Sequence, residues 1–246
     1  MQHTETPEGA DTVRPIGTSS MLKIFYAFLV LALLSVALNL GGKWLGRSMA
    51  MGGHSDDTTL HEIVIGNDVI SAPANMIRFA HARRDGVAPR LDLYLRWPDM
   101  DGYTRAARDA FDNIGGTRRI LFLSFEERMM SRDMSGRFEP IYSSLIMQPG
   151  QPGPNGVTVY DFKDGSGYLN EILAVAARPG SEPFVARCLT GQNAKESLAP
   201  CARDIEVGGN LSLTYRFPEE LLAEWPALES AMIAKAAQFL KTGDWN

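Results

Sequence analysis

The sequence predicts an α+β protein: one N-terminal transmembrane helix, then a mostly antiparallel β domain with a short middle helix and a C-terminal helix. Three observations carry this expectation. A run of seventeen uncharged residues, Ile24–Leu40, stands between Lys23 and Lys43. Beyond it, short segments of alternating apolar and polar residues are separated by turns rich in Gly, Pro and Asn, the pattern of hairpin-linked strands. The final stretch, from Pro218 to Lys241, reads as an amphipathic helix with Pro226 interrupting its first part.

At 1.5 Å per residue the apolar run is about 26 Å long, close to a hydrocarbon core of about 30 Å. Lys23 and Lys43 can snorkel outward, and Tyr26 and Trp44 suit the two interfaces. The alternatives are a secretory signal and a buried helix of a soluble protein. The acids Glu5, Glu8 and Asp11 make residues 1–20 a poor n-region, although a start at Met21 would place Lys23 before the run and Ser35-Val36-Ala37 at a cleavage site. The expected organisation is a short cytoplasmic tail over 1–23, an anchor over 24–45, a juxtamembrane linker over 46–59 and an extracytoplasmic domain over 60–246. Arg14 and Lys23 before the run balance Lys43 and Arg47 after it, so flanking charge sets no orientation. The two cysteines set it instead. Cys188 and Cys201 bracket twelve polar-rich residues, which suits one disulfide and an oxidising compartment; two unrelated thiols are the alternative.

Along the domain, Leu60–Ser71 reads as a hairpin about Gly66-Asn67-Asp68, and Arg90–Trp97 as a half-buried strand ended by Pro98. Gly102–Asn113 is the middle helix, stopped by Gly115-Gly116. Arg119–Glu126, Gly156–Phe162, Tyr168–Ala177, Pro183–Leu189, Asp204–Val207 and Leu211–Phe217 are further strands, with turns at Lys163–Gly167, Pro179-Gly180 and Gly208–Asn210. Leu91–Asp99 (LDLYLRWPD) and Leu211–Glu219 (LSLTYRFPE) echo one another, and Arg83/Arg203 and Val87/Val207 keep the same offset. Duplication into two related halves explains the echo. So does the shared demand of strand, proline and helix start for these residue types.

A net charge of −5 predicts no nucleic-acid partner, since phosphate backbones require a basic surface. Motifs for catalysis are sparse. Ser166, in Asp164-Gly165-Ser166-Gly167, lacks the first glycine of a nucleophile elbow and sits in a hairpin turn. The metal candidates are Met49, Met51, His54 and His61: thioether and imidazole suit Cu(I), while His54, Asp56, Asp57, His61 and Glu62 offer ligands to a divalent ion. Met129, Met130 and Met134 form a second methionine group. Methionine also fills gaps, and polar runs after an anchor are commonly solvated linker. The charge clusters His81–Asp85 and Glu126–Asp133 are partner-facing surfaces or solvated turns.

The overall plan resembles that of single-pass bacterial envelope proteins. The resemblance implies an inner-membrane protein with its large C-terminal domain in the periplasm. The function expected is a non-catalytic binding or assembly module with a protein partner in the envelope and no cofactor. The alternatives are an extracytoplasmic hydrolase and a periplasmic metal-handling protein.

Overall fold

The computed structural model describes residues 22–23, 25–36 and 53–241. The chain divides into two compact units, Met1–Gly52 and Gly53–Asn246. In the first, residues 22–23 and 25–36 are helical, with exposed apolar side chains that include Phe25, Phe28, Leu31 and Leu34. Among the described residues no helix is long and apolar enough to cross a membrane. Ile24 and residues 37–45 of the expected anchor lie outside the described residues, as do 1–21, Met49 and Met51.

The second unit is a mixed α+β structure dominated by antiparallel sheet. Its strands are β1 (Leu60–Ile65), β2 (Asp68–Pro73), β3 (Gly86–Val87), β4 (Arg90–Arg96), β5 (Ile120–Glu127), β6 (Gln151–Pro152), β7 (Val157–Asp161), β8 (Glu171–Arg178), β9 (Ser181–Leu189), β10 (Cys201–Val207) and β11 (Leu211–Phe217). Among the described residues they form two sheets, β2-β1-β3 and an eight-stranded β4-β5-β11-β10-β9-β8-β7-β6. The larger sheet is antiparallel at every pairing. Its α-helices of four residues or more, among the described residues, are α1 (Arg108–Phe111), α2 (Gly191–Glu196) and α3 (Trp225–Phe239).

Period-2 alternation assigns the two faces of the large sheet. Leu91, Leu93 and Leu95 of β4, Leu121, Leu123 and Phe125 of β5, and Leu211, Leu213 and Tyr215 of β11 all face inward and are buried. Against them pack Leu228, Met232, Ala236 and Phe239, a single stripe of α3. Each large aliphatic or aromatic side chain so buried contributes about 1.5–3 kcal/mol. Pro226 lies in the first turn of α3, where its missing N–H leaves no helical bond unmade. The preceding Glu219–Glu224 is a separate 3-10 turn, so the C-terminal stretch is split where the proline predicts.

The β1–β2 turn has Gly66 at φ +57°, and a Cβ there would collide with the Glu127 carboxylate. Asp68, just past this turn, is buried and accepts hydrogen bonds from the backbone N–H groups of Gly209 (3.0 Å) and Asn210 (3.1 Å). That clasp pins the small sheet to the β10–β11 turn. The middle helix starts later than the sequence predicts. Gly102 is pressed on the Asn75 backbone, Tyr103 N–H donates to the Asn75 carbonyl (2.9 Å), and both residues lie outside the helix. Thr104 then caps a short 3-10 turn leading into α1.

The two echoed segments become β4 and β11, which flank β5 on opposite sides. Their register differs by two residues: Leu91 and Leu213 both lie opposite Phe125. After the prolines they diverge. Pro98 leads into a tight turn in which Met100 N–H donates to Arg96 O (2.7 Å), whereas Pro218 leads into the Glu219–Glu224 turn and α3.

Candidate functional site

The outward face of the large sheet is covered at both ends and open between them. At one end Tyr103, Ala107 and Phe111 cover Tyr94 and Ile120. At the other, Met134, Tyr142 and Ile146 cover Leu173, Val175 and Val185. The uncovered strip carries Glu126 of β5, Ser212 and Thr214 of β11, and Asp204 and Glu206 of β10. With the loop after β5 it forms a groove of about 260 Å³.

Ion pairs organise this groove. Arg137 reaches from the covering loop to Asp204, and Arg128 donates to Glu206 at 2.8 Å. Burial pushes the Asp204 carboxyl above its ordinary range, while the Arg137 guanidinium opposes that shift. Arg187 lies 5.0 Å over the Tyr168 ring and 3.3 Å from Glu171. The Nε atoms of Arg137 and Arg187 are buried without a hydrogen-bond partner among the described residues. Met129, 92% exposed, and Met130 stand at the rim, whereas Met134 is buried in the covering loop. The three methionines therefore occupy different environments. Glu126, Glu127, Arg128, Arg132 and Asp133, noted in the sequence as a charge cluster, all line the groove.

Beneath the groove lies a short seam in the middle of the sheet. Strand β10 pairs with β11 through seven residue pairs but with β9 through two, Cys201↔Cys188 and Ala202↔Arg187. Cys188 and Cys201 are joined in a disulfide there and both are fully buried. Where the strands part, Arg203 fills the gap with a guanidinium only 1% exposed. It donates to the Val185 carbonyl (2.8 Å), Ser135 Oγ (3.0 Å) and Glu229 Oε1 (2.6 Å). Glu229 also accepts from Arg178 (2.9 Å), and Ser135 donates to the Pro183 carbonyl (2.6 Å). Burial drives the Tyr215 hydroxyl, opposite Arg203 on β11, strongly upward in pKa.

The histidines noted in the sequence are held apart. His54 enters an aromatic nest: its Nδ1 is 3.0 Å from Tyr94 Oη, its Nε2 is 3.4 Å from Asp112, and its ring stacks on Tyr103 at 4.7 Å. Burial pushes the Tyr94 hydroxyl up to about 12, with Arg83 opposing. Together with the Arg83 bond to the Gly53 carbonyl and the Asp56–Arg105 pair (2.6 Å), this fastens residues 53–56 onto the folded unit. His61 pairs instead with Asp85 at 3.3 Å. Among the described residues no group of three or more His, Cys, Asp or Glu side chains is arranged to hold a metal ion. Ser166 Oγ accepts the Tyr168 N–H (3.3 Å) within its turn.

No protein-family model and no curated protein matches the chain in sequence. Among solved structures it is similar to Smlt3025, an immunity protein of the Stenotrophomonas maltophilia type IV secretion system. The identity is 14% and the TM-score 0.48, over 77% of this chain and 96% of that one. It is also similar to FrpD, an iron-regulated outer membrane lipoprotein of Neisseria meningitidis, at 8% identity and a TM-score of 0.42, over 75% and 95% of the two chains. The likeness to each is a partial one, in the course of the backbone.

Proposed function

We propose that the chain is a membrane-tethered binding module of the bacterial envelope, with its folded unit in the periplasm and a protein partner seated in the groove over β5, β11 and β10. The groove carries the reading. It is an open part of the outward sheet face between two aromatic covers, it is lined by fixed ion pairs, and it is rimmed by exposed methionines. Unbranched, polarizable methionine adapts to a docking partner, and charged walls select among partners. The tether rests on the uncharged run Ile24–Leu40 and on the exposed apolar side chains of helical residues 25–36. The periplasmic side rests on the Cys188–Cys201 disulfide, because such bonds persist in oxidising compartments.

The test is site-specific photo-crosslinking in living cells. A photoreactive residue at Met129 or Ser212 is expected to give one adduct of the same partner. The same probe at Ile233, exposed on α3 across the sheet, is expected to give none. Absence of an adduct at both groove positions, or an identical adduct from Ile233, refutes the reading.

A further inference from the structure

We propose that a second cavity on the outward face, between Arg78 and Arg216, is an oxyanion site that takes a phosphate group. The cavity measures about 240 Å³ and is lined by Arg78, Phe122, Ser197, Leu198, Ala199 and Arg216. It shares no residue with the groove over β10. Among the described residues no carboxylate lines it, in a chain whose net charge is −5.

Both guanidiniums are held in place without being neutralised. Arg78 is stacked between two rings, 4.8 Å from the Phe122 centroid and 5.1 Å from that of Phe79. Its backbone N–H is fixed to the Asp92 carbonyl at 3.0 Å. Arg216 is the cross-strand neighbour of Phe122, and its Nε donates to the Ala199 carbonyl at 3.2 Å. Neither guanidinium makes an ion pair among the described residues, so the terminal N–H groups of both are available.

The nearby acids are already engaged. Asp92 is held by Arg90 and Ser124, Glu126 by Arg90, Glu196 by Gln192, and Asp112 by Arg108. Further positive charge borders the segment that closes the cavity, where Arg118 donates to the Lys195 carbonyl at 2.8 Å. Two fixed like charges facing one cavity repel each other until an anion lies between them. A phosphate dianion neutralises both, and the planar guanidinium fork matches its oxygens in pairs. Ser197 Oγ accepts the Ala199 N–H, which leaves its own proton to donate. Leu198, Ala199 and the Phe122 ring give an apolar border beside which a substituent on the fourth oxygen can lie. A phosphorylated solute and a phospholipid headgroup both present paired phosphate oxygens to such guanidiniums, the first as a monoester dianion and the second as a diester monoanion.

The experiment is calorimetric titration of the full chain, in phosphatidylcholine nanodiscs, with inorganic phosphate at constant ionic strength. Saturable binding is expected, weakened about ten-fold or more in both Arg78→Gln and Arg216→Gln and less in Arg216→Lys, which keeps the charge without the fork. Arg84→Gln, in a separate cleft, is expected to bind as the parent does. Both target side chains are exposed, and near-UV circular dichroism verifies that each variant is folded. Phosphatidylglycerol in the discs separates the two sources: a weaker apparent phosphate affinity assigns the site to a lipid headgroup, and an unchanged one assigns it to a soluble phosphate. The proposal is overturned if phosphate fails to saturate, if both Gln variants bind like the parent, or if acetate displaces phosphate at equal concentration.

Discussion

Glu229 accepts hydrogen bonds from two guanidiniums at once, and one of them, Arg203, is sealed from water. Removing a carboxylate from such a site leaves buried positive charge without a partner, which costs about 3–5 kcal/mol. Glu229→Gln is expected to lose about 3 kcal/mol in urea denaturation, since one amide oxygen still accepts from one arginine. A loss within about 0.5 kcal/mol of zero would show that the pair is replaceable. Asp204 behaves in the opposite sense to most ion-paired acids, because burial raises its carboxyl despite Arg137. With the native pKa above the unfolded one, the native state binds the extra proton. The contribution of Asp204 to stability is therefore fullest below the unfolded value near 3.8 and is lost as pH rises through the native value. The stability of the parent relative to Asp204→Asn is expected to rise as the pH is lowered from 7 toward 4. Denaturation midpoints over that series decide it, and a parent that loses stability relative to the variant on acidification contradicts the assignment.

Most of the elements were legible in the sequence because they obey simple periods. The alternation Leu91-Leu93-Leu95, the turns at Gly66 and Gly208, and the proline at the start of α3 each appear where local chemistry places them. Short or polar elements were not. Helix α2 lies within the loop LTGQNAKESLAP, which has no apolar stripe, and the π-helical turn Phe138–Tyr142 contains Pro140. The groove was half visible. Its rim, Glu126–Asp133, stands out as a charge cluster, but Asp204, Arg137 and Arg187 meet only through strand register. Arg203 was missed for a stronger reason. A fully buried arginine is tolerated only when paired, and its partner Glu229 comes from a helix beyond the next strand. The surroundings of His54 were equally out of reach of the sequence, because the rings that cage it come from β4 and the segment after it.

The whole sheet divides into two halves of different connectivity. In one half β6, β7, β8 and β9 lie in chain order, each joined to the next as an antiparallel neighbour. In the other, β5 waits for β11, with Glu127 brought beside Leu211 across the intervening chain. The seam between the halves has two residue pairs, the Cys188–Cys201 bridge and the Arg203–Glu229 network. That division makes an order of assembly in time. Neighbouring strands close small loops quickly, whereas distant pairings carry a larger closing entropy and form late. With the disulfide intact, pulse-labelled amide exchange during refolding is expected to protect β7 and β8 before β5 and β11, and the reverse order would count against it. The groove over β5, β11 and β10 spans the late half, so its floor comes into being only after the meander beside it has set.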